Sequence, residues 1–182
     1  PDRRKVALWS PSPWSDIDPV GSEDLPPGRF VAATTETEHG PVRVVGLCVP
    51  WSGAHVSSGR RDRRRWEDHR TFLEHLAPVI ARQPWPLAVA GDLNQQIPRA
   101  RQPGDVYELL MAALEGLHLP TAADTARPGL IDHIALSTDL RVHAIGTLPA
   151  HDGTHRLSDH TGVGLIAAPD PDGPASRRPG CA

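Results

Sequence analysis

The chain has 182 residues, of which 38% are hydrophobic and 23% are charged, and its formal net charge at pH 7 is −3. This composition suits one globular domain with a substantial core, and no apolar run approaches the length of a membrane span. The small negative charge excludes a chain-wide positive field, so a polyanion could bind only through a local basic patch. Because there are only two cysteines, we expect no disulfide scaffold and a reducing, cytoplasmic location.

The first part of the chain is predicted to be mainly β. Val6–Ser10 has the composition of a short strand, and a proline-rich loop follows it over residues 11–28. Two β-rich runs, Arg29–Thr37 and Val42–Val49, flank a turn and predict a hairpin. The second run becomes wholly apolar towards its end, which is typical of a central strand.

A helix is predicted after the hairpin. Apolar residues recur at helical spacing and indicate a helix from about residue 63 into the early eighties, which Pro78 should kink or split. Five arginines lie near its start: Arg60, Arg61, Arg63, Arg64 and Arg65. They could attract phosphate, but a solvated start of a helix is the more common explanation of such a run.

The apolar run Leu87–Ala90 ends in a glycine and two polar side chains, which predicts a buried strand with Asp92 and Asn94 at its C-terminal end. Alternate residues of an extended strand point to the same side, so these two side chains could reach one small volume. An Asx turn uses the same letters and is the commoner explanation when the pattern stands alone.

The remaining chain combines one helix with several strands. Asp105, with Glu108 three residues on, is the predicted cap of a second helix. Residues 169–182 lack apolar periodicity and are predicted to be a disordered tail, which leaves 1–168 as the domain. Three further strand candidates lie at Leu130–Ser137, Arg141–Leu148 and His160–Ala168.

Two of these strands carry ionisable residues at their ends, in Ile-Asp-His-Ile at 131–134 and Leu-Ser-Asp-His at 157–160. A buried carboxylate is costly unless it is paired, and a histidine is a natural partner because the carboxylate fixes its tautomer. We therefore predict that Asp132 pairs with His160 and that Asp159 faces a cation. An ordinary strand carboxylate and an ordinary turn would explain either motif alone.

Other polar patterns are weaker. His133 should point to the opposite face of a regular strand and is interpreted as structural. His151 and His155 have helical i, i+4 spacing but lie in a glycine-containing loop, so a zinc site there is a minor alternative. A Ser/His/Asp hydrolase is poorly supported, because no Gly-x-Ser-x-Gly turn occurs.

Taken together, three motifs carry a resemblance. Gly-Asp-Leu-Asn at 91–94, Ile-Asp-His-Ile at 131–134 and Ser-Asp-His at 158–160 occur in this order at strand ends, and they resemble the C-terminal signatures of the endonuclease/exonuclease/phosphatase family. The resemblance implies an α/β fold, a four-layer α/β sandwich with two mostly antiparallel β-sheets flanked by helices. It also implies a phosphoester hydrolase that depends on Mg²⁺ or Mn²⁺.

Carried over to this sequence, the resemblance implies a role for each candidate site residue. Asp92 would orient or deprotonate the attacking water, and Asn94 would hold that water or a phosphate oxygen. Asp132 would orient His160, which would bind the phosphate, and Asp159 would help to bind the metal. The substrate could be a nucleic acid, a nucleotide, a phospholipid or a sugar phosphate, and we expect a monomer.

Two departures from the family pattern affect these expectations. Cys48–Trp51 occupies the place of a phosphate-contacting Tyr or His, for which His55 or Arg60 are speculative substitutes. The family's Asn and metal-binding Glu precede the segment that matches Val6, so the domain is expected to be N-terminally incomplete, through truncation or degeneration. The chain lacks an initial methionine, which favours truncation. We expect weak turnover either way, and the alternative function is a non-catalytic phosphate- or partner-binding module that retains the fold.

Overall fold

A computed structural model describes residues 4–122 and 129–171 of the chain. The strands are β1 Trp14–Asp18, β2 Phe30–Thr37, β3 Gly40–Cys48, β4 Leu87–Asp92, β5 Leu117–His118, β6 Asp132–Ser137, β7 Leu140–Leu148, β8 His151–Asp152, β9 His155–Arg156 and β10 Gly162–Pro169. The helices are α1 Glu67–Ala81, α2 Gly104–Ala113 and a short 3-10 helix at Pro120–Ala122. Neither α1 nor α2 has the length and apolar surface that crossing a bilayer requires.

The main sheet has six strands in the order β1-β2-β3-β4-β6-β5. β3 and β4 run parallel, and the other neighbouring pairs are antiparallel. The predicted hairpin is present as β2 and β3, in a register that runs from Thr37 opposite Gly40 to Phe30 opposite Leu47. β3 lies between β2 and β4, as its apolar end predicted.

One face of the main sheet packs against both α-helices. Val45, Leu47 and Val89 point to this face and are buried with Phe72 and Leu76 of α1. Val44, Ala88 and Ala90, which alternate with them, point to the opposite face, where they are partly exposed. The helices therefore hold the strands through one face of the sheet, and the ends of the strands remain free to carry the site.

A second, two-stranded antiparallel sheet is made by β7 and β10, and β10 contacts β6 of the main sheet. The predicted fold class, α/β with mostly antiparallel sheets flanked by helices, is therefore confirmed. Both helices of residues 4–122 lie in one layer, and the second helical layer of a four-layer sandwich is not seen in the described ranges.

The predicted strand at Val6–Ser10 is wrong, and β1 lies instead inside the predicted loop. Side chains of Val6 and Leu8 pack over Gly46 of β3, where an added Cβ would lie 2.9 Å from Val6 Cγ2. Their apolar character therefore serves packing on the sheet face rather than strand pairing. β1 is an edge strand with a mostly exposed surface, so it lacks the apolar alternation by which a strand is recognised.

α1 begins at Glu67 rather than near residue 63, and it continues through Pro78 as one helix. Proline removes one hydrogen bond to the preceding turn. Buried side chains on both sides of Pro78, including Leu76 and Val79, anchor the helix to the sheet. This packing keeps the helix in one piece despite the missing bond.

α2 begins at Gly104, and the predicted capping by Asp105 and Glu108 is wrong because the helix start has no side-chain cap. The carboxylate of Asp105 instead accepts a hydrogen bond of 2.8 Å from Arg70 Nε of α1. Asp105 therefore makes a contact between α1 and α2 instead of the predicted capping contact within α2.

The predicted tail of residues 169–182 begins too early, because β10 extends to Pro169 and Asp170 N–H donates to Asp139 O. Residues 172–182 of that prediction lie outside the described residues.

Candidate active site

Three strand ends meet at one edge of the main sheet. β3 and β4 are parallel, so their C-terminal ends lie side by side, and β6 is antiparallel to β4, so its first residue lies there too. The register places Asp92 opposite Cys48 on one side and opposite Asp132 on the other. The topology therefore brings two carboxylates together that are 40 positions apart in the sequence.

Asp92 and Asn94 meet as predicted, but through an Asx turn rather than an extended backbone. The backbone N–H of Asn94 donates to Asp92 Oδ1 at 2.9 Å, and Asn94 has a left-handed φ of 51°. Asn94 Nδ2 donates to Asp92 Oδ2 at 2.8 Å and to Val49 O at 2.9 Å. Both amide hydrogens are used in this way, so the amide oxygen remains to accept a hydrogen bond from a water.

Asp132 and His160 lie next to each other, with His160 Nδ1 at 2.8 Å from Asp132 Oδ2. The contact is close, but its angle is not that of a hydrogen bond. His160 Nε2 lies 3.4 Å from Asp159 Oδ1. Asp132 has 18% of its side chain exposed and Asp159 has 76%, so the first is an inner residue of the site and the second lies on its rim.

A divalent cation fits the inner group. Ligand atoms of Asp92, Asp132 and His160 all lie within 4.8 Å of one another. Burial raises the pKa of both Asp92 and Asp132, while the hydrogen bond from Asn94 lowers that of Asp92 and the proximity of His160 lowers both. Carboxylate oxygens are the ligands that Mg²⁺ and Mn²⁺ prefer, and a cation would offset the cost of holding two carboxylates together.

Solved structures share this arrangement of strands and helices. The 3' phosphatase NExo from Neisseria, bound to a product DNA hairpin, has a TM-score of 0.61 and 18% identity, over 86% of this chain and 72% of that chain. The 3'-5' exonuclease NExo from Neisseria meningitidis has a TM-score of 0.61 and 18% identity, over 88% and 73%. An endonuclease/exonuclease/phosphatase from Beutenbergia cavernae has a TM-score of 0.53 and 21% identity, over 87% of this chain and 46% of that chain.

This chain has the endonuclease/exonuclease/phosphatase fold. No protein-family profile and no curated protein sequence matches it. Identities of 18 to 21% establish the architecture alone, so the roles of the site residues remain predictions from the sequence motifs and the geometry.

Three residues that sequence analysis did not select as site residues also line the cavity beside Asp92. Lys5, Arg29 and Trp51 surround a cavity of about 420 Å³ together with Asp92, Asn94 and other residues. The position of Arg29 could have been found from the predicted hairpin, because counting back from the turn places it opposite Cys48. The segment that ends at Trp51 was noted as a departure from the family pattern, whereas Lys5 has no comparable signal, since only the folded chain brings it to the cavity.

Cys48 occupies the place where the resemblance expects a phosphate-contacting Tyr or His. Burial raises the pKa of its thiol, so a neutral Cys48 is a poor nucleophile. Arg29 Nη1 donates to Cys48 O at 2.9 Å, which places a guanidinium at this position of the fold. The speculative substitutes are engaged elsewhere: His55 Nδ1 lies 2.5 Å from Asp68 Oδ2, and Arg60 pairs with Asp62.

The remaining histidine predictions can be placed directly. His133 is buried and structural, as predicted: its Nε2 donates to Gln95 O at 3.2 Å, and burial lowers its pKa. His151 and His155 lie on the exposed strands β8 and β9, where His155 contacts Asp152. Of the residues that the structure describes, neither belongs to a metal-ligating group, so the alternative of a zinc site there has no support.

A buried histidine of α1 fixes the two loops that carry the site. His69 Nδ1 donates to Pro50 O at 2.6 Å, and its Nε2 accepts from Gln95 Nε2 at 2.8 Å. Gln95 Nε2 also donates to Val106 O at 3.0 Å. Because Pro50 follows β3 and Gln95 follows Asn94, a neutral His69 holds both site loops against the helices.

Stability should therefore fall in mild acid through His69. Burial lowers its pKa from 6.5 to about 4, so between these values the unfolded chain binds a proton that the folded chain excludes. Stability is retained above pH 6.5 and lost as the pH falls towards 4, by about 3 kcal/mol in total. Urea unfolding from pH 7 to 4.5 measures this loss.

A variant without the titrating ring tests this assignment. His69→Gln should be less stable at pH 7 but should show a shallower decline of unfolding free energy towards pH 4.5. His39→Gln, in the exposed turn between β2 and β3, is the matched control and should keep the wild-type slope. Parallel pH profiles for the wild type and His69→Gln would show that another group causes the acid sensitivity.

Proposed function

We propose that this protein is a divalent-metal-dependent phosphoester hydrolase that acts at the cavity beside Asp92, Asp132 and His160. The observation that carries the proposal is the convergence of their ligand atoms within 4.8 Å at the edge of an endonuclease/exonuclease/phosphatase fold. Two carboxylates and an imidazole at this spacing can hold a cation, a water and a phosphoryl group next to one another. A bound Mg²⁺ or Mn²⁺ would supply positive charge to the phosphate oxygens.

The protein's own residues would divide the remaining work. Asp92 accepts a proton from the attacking water, and Asn94, whose amide hydrogens are already used, orients that water through its oxygen. Asp132 orients His160, which donates a hydrogen bond to the phosphoryl oxygens as their charge develops. Asp159, on the rim, is proposed to complete the metal site.

Turnover by these 182 residues is proposed to be slow. Two of the three members of the inner group, Asp132 and His160, are already in contact with each other, so few carboxylate oxygens are left for the ion. Mg²⁺ is commonly held by one or two carboxylates together with substrate phosphates. We therefore expect the metal to bind weakly until the substrate arrives.

A nucleic acid or a nucleotide is the proposed substrate class. The NExo structures describe a 3' phosphatase with product DNA and a 3'-5' exonuclease, and here Lys5 and Arg29 bring positive charge to the same cavity. Cationic side chains next to the scissile phosphate can bind the neighbouring phosphates of a nucleic-acid backbone. A monomer in the cytoplasm is the proposed state, since the sparse cysteines suit a reducing compartment.

Hydrolysis of bis(p-nitrophenyl) phosphate tests the proposal. With protein at high concentration, we expect slow release of nitrophenolate that requires Mg²⁺ or Mn²⁺ and stops in EDTA. Asp92→Asn should lower the rate at least about 100-fold, because it removes the base. Asp152→Asn, which changes an exposed carboxylate of β8, is the control and should leave the rate unchanged.

Two results would contradict the proposal. Turnover that persists in EDTA would exclude the metal, and turnover that survives Asp92→Asn would exclude the site. Binding of Mn²⁺ without any hydrolysis would favour the alternative of a non-catalytic phosphate-binding module with this fold.

A further inference from the structure

Trp51 presents an exposed aromatic ring at the rim of the candidate active site. It lies directly after the end of β3, has 46% of its surface exposed and lines the cavity that contains Asp92 and Asn94. Large apolar side chains that stay exposed beside a polar cavity are typical of ligand-binding positions. None of the proposed hydrolytic steps uses this ring.

The indole is held in place by the turn that follows it. Trp51 O accepts the backbone N–H of Ala54 at 3.0 Å, and Ser52 O accepts that of Trp66 at the start of α1. The ring lies close to Gly53, where an added Cβ would come within 2.5 Å of indole Cη2. The absence of a side chain at Gly53 therefore leaves room for the indole in this position beside the cavity.

Positive charge lies on the same cavity. Lys5 and Arg29 both line it, and the guanidinium of Arg29 is oriented by the carbonyl of Cys48 at 2.9 Å. The carboxylates of Asp92 and Asp159 line the cavity too. It thus combines an aromatic surface, two cations and the proposed hydrolytic carboxylates.

We propose that Trp51 stacks on a base of a single-stranded nucleic-acid substrate while Lys5 and Arg29 contact its phosphates. This inference rests on the proposed function for the position of the scissile phosphate, and it adds the single-stranded form of the substrate and a residue that contacts its bases. A planar base next to a phosphate matches a ring next to two cations, whereas a lipid or a sugar phosphate offers no aromatic face. Stacking of this kind tolerates any base, so we expect little sequence preference.

Binding of a short oligonucleotide tests the inference without any need for turnover. Fluorescence anisotropy of labelled octathymidylate in EDTA should show Trp51→Ala weakening the affinity about 5- to 150-fold, the range expected for loss of one stacked base. Trp51→Phe should recover part of the loss. Trp9→Ala removes an indole that is 85% exposed and is the matched control, which should bind like the wild type.

An abasic oligomer of the same length and charge separates stacking from electrostatics. The wild type should bind it more weakly than octathymidylate, and Trp51→Ala should bind both oligomers alike. The stacking role is wrong if Trp51→Ala binds octathymidylate as tightly as the wild type does. It is also wrong if the substitution lowers the affinity for the abasic oligomer as much as the affinity for octathymidylate.

The hydrolysis assay distinguishes failure of this inference from failure of the proposed function. Trp51-dependent binding of octathymidylate without hydrolysis of any phosphoester would uphold the base site and overturn the hydrolase. Metal-dependent hydrolysis, together with an equal effect of Trp51→Ala on the affinities for normal and abasic oligomers, would uphold the hydrolase and overturn the base site.

Discussion

Replacing Gly91 with alanine should destabilise the fold by at least about 3 kcal/mol and abolish any hydrolysis. Gly91 pairs with Leu47 across the parallel β3–β4 interface and has a φ of 145°, which L-residues rarely adopt. An added Cβ would lie 2.0 Å from the backbone oxygen of Leu47. Neither backbone can move without breaking the strand pair, so the next residue, Asp92, would be displaced as well. Urea unfolding and the diester assay measure the two effects.

Gly164→Ala in β10 provides the matched control for Gly91→Ala. An added Cβ there meets no atom within 4 Å, and β10 is likewise a paired strand. We expect its unfolding free energy to stay within about 0.5 kcal/mol of the wild type. Equal stabilities for the two variants would mean that β4 can move to accommodate a Cβ at position 91. The close approach of Gly91 to Leu47 would then not constrain the site.

Removing the imidazole of His160 should lower kcat about 100- to 1000-fold, the usual loss for one donor to a developing oxyanion. Asp132→Asn should cause a similar loss although Asp132 need not contact the substrate, because it orients the ring from 2.8 Å. The effects of two residues that act as one unit on the rate are not additive, so the double variant should be no slower than His160→Ala alone. Single-turnover rates with protein in excess measure these changes.

The pair of His155 and Asp152 is a control within the same chain. His155 Nδ1 lies 3.2 Å from Asp152 Oδ1, but both side chains are exposed on β8 and β9. His155→Ala should leave the single-turnover rate unchanged. Fully additive losses for Asp132→Asn and His160→Ala would show that the two residues act separately and would refute the orienting role of Asp132.

The residue predicted to face the metal, Asp159, is not part of the inner group. The sequence interpretation assigned the cation to Asp159, yet the ligand atoms that converge belong to Asp92, Asp132 and His160. Asp159 lines the same cavity from its rim, and its part in holding the metal stays a prediction. Mn²⁺ titration of Asp92→Asn and Asp159→Asn would rank the two contributions.

Local patterns predicted much of the architecture because they report forces that act over a few residues. Alternation and composition identified the β2–β3 hairpin, the apolar end of β3 identified a central strand, and helical spacing identified most of α1. Edge elements were missed or misplaced, as with β1, because their exposed surfaces need no apolar pattern. The start of α2 was misjudged because Asp105 contacts Arg70 of another helix instead of capping its own.

Periodicity and the cost of burying charge were enough to predict the β2–β3 hairpin, most of α1 and the chemical types at three strand ends, because these depend on the residues of each segment. The folded chain is needed to place Asp92 opposite Asp132, and to place Lys5, Arg29 and Trp51 on one cavity with Asp92. Strand order and register fix such neighbours through hydrogen bonds between segments far apart in the chain. No local pattern of residues contains that information.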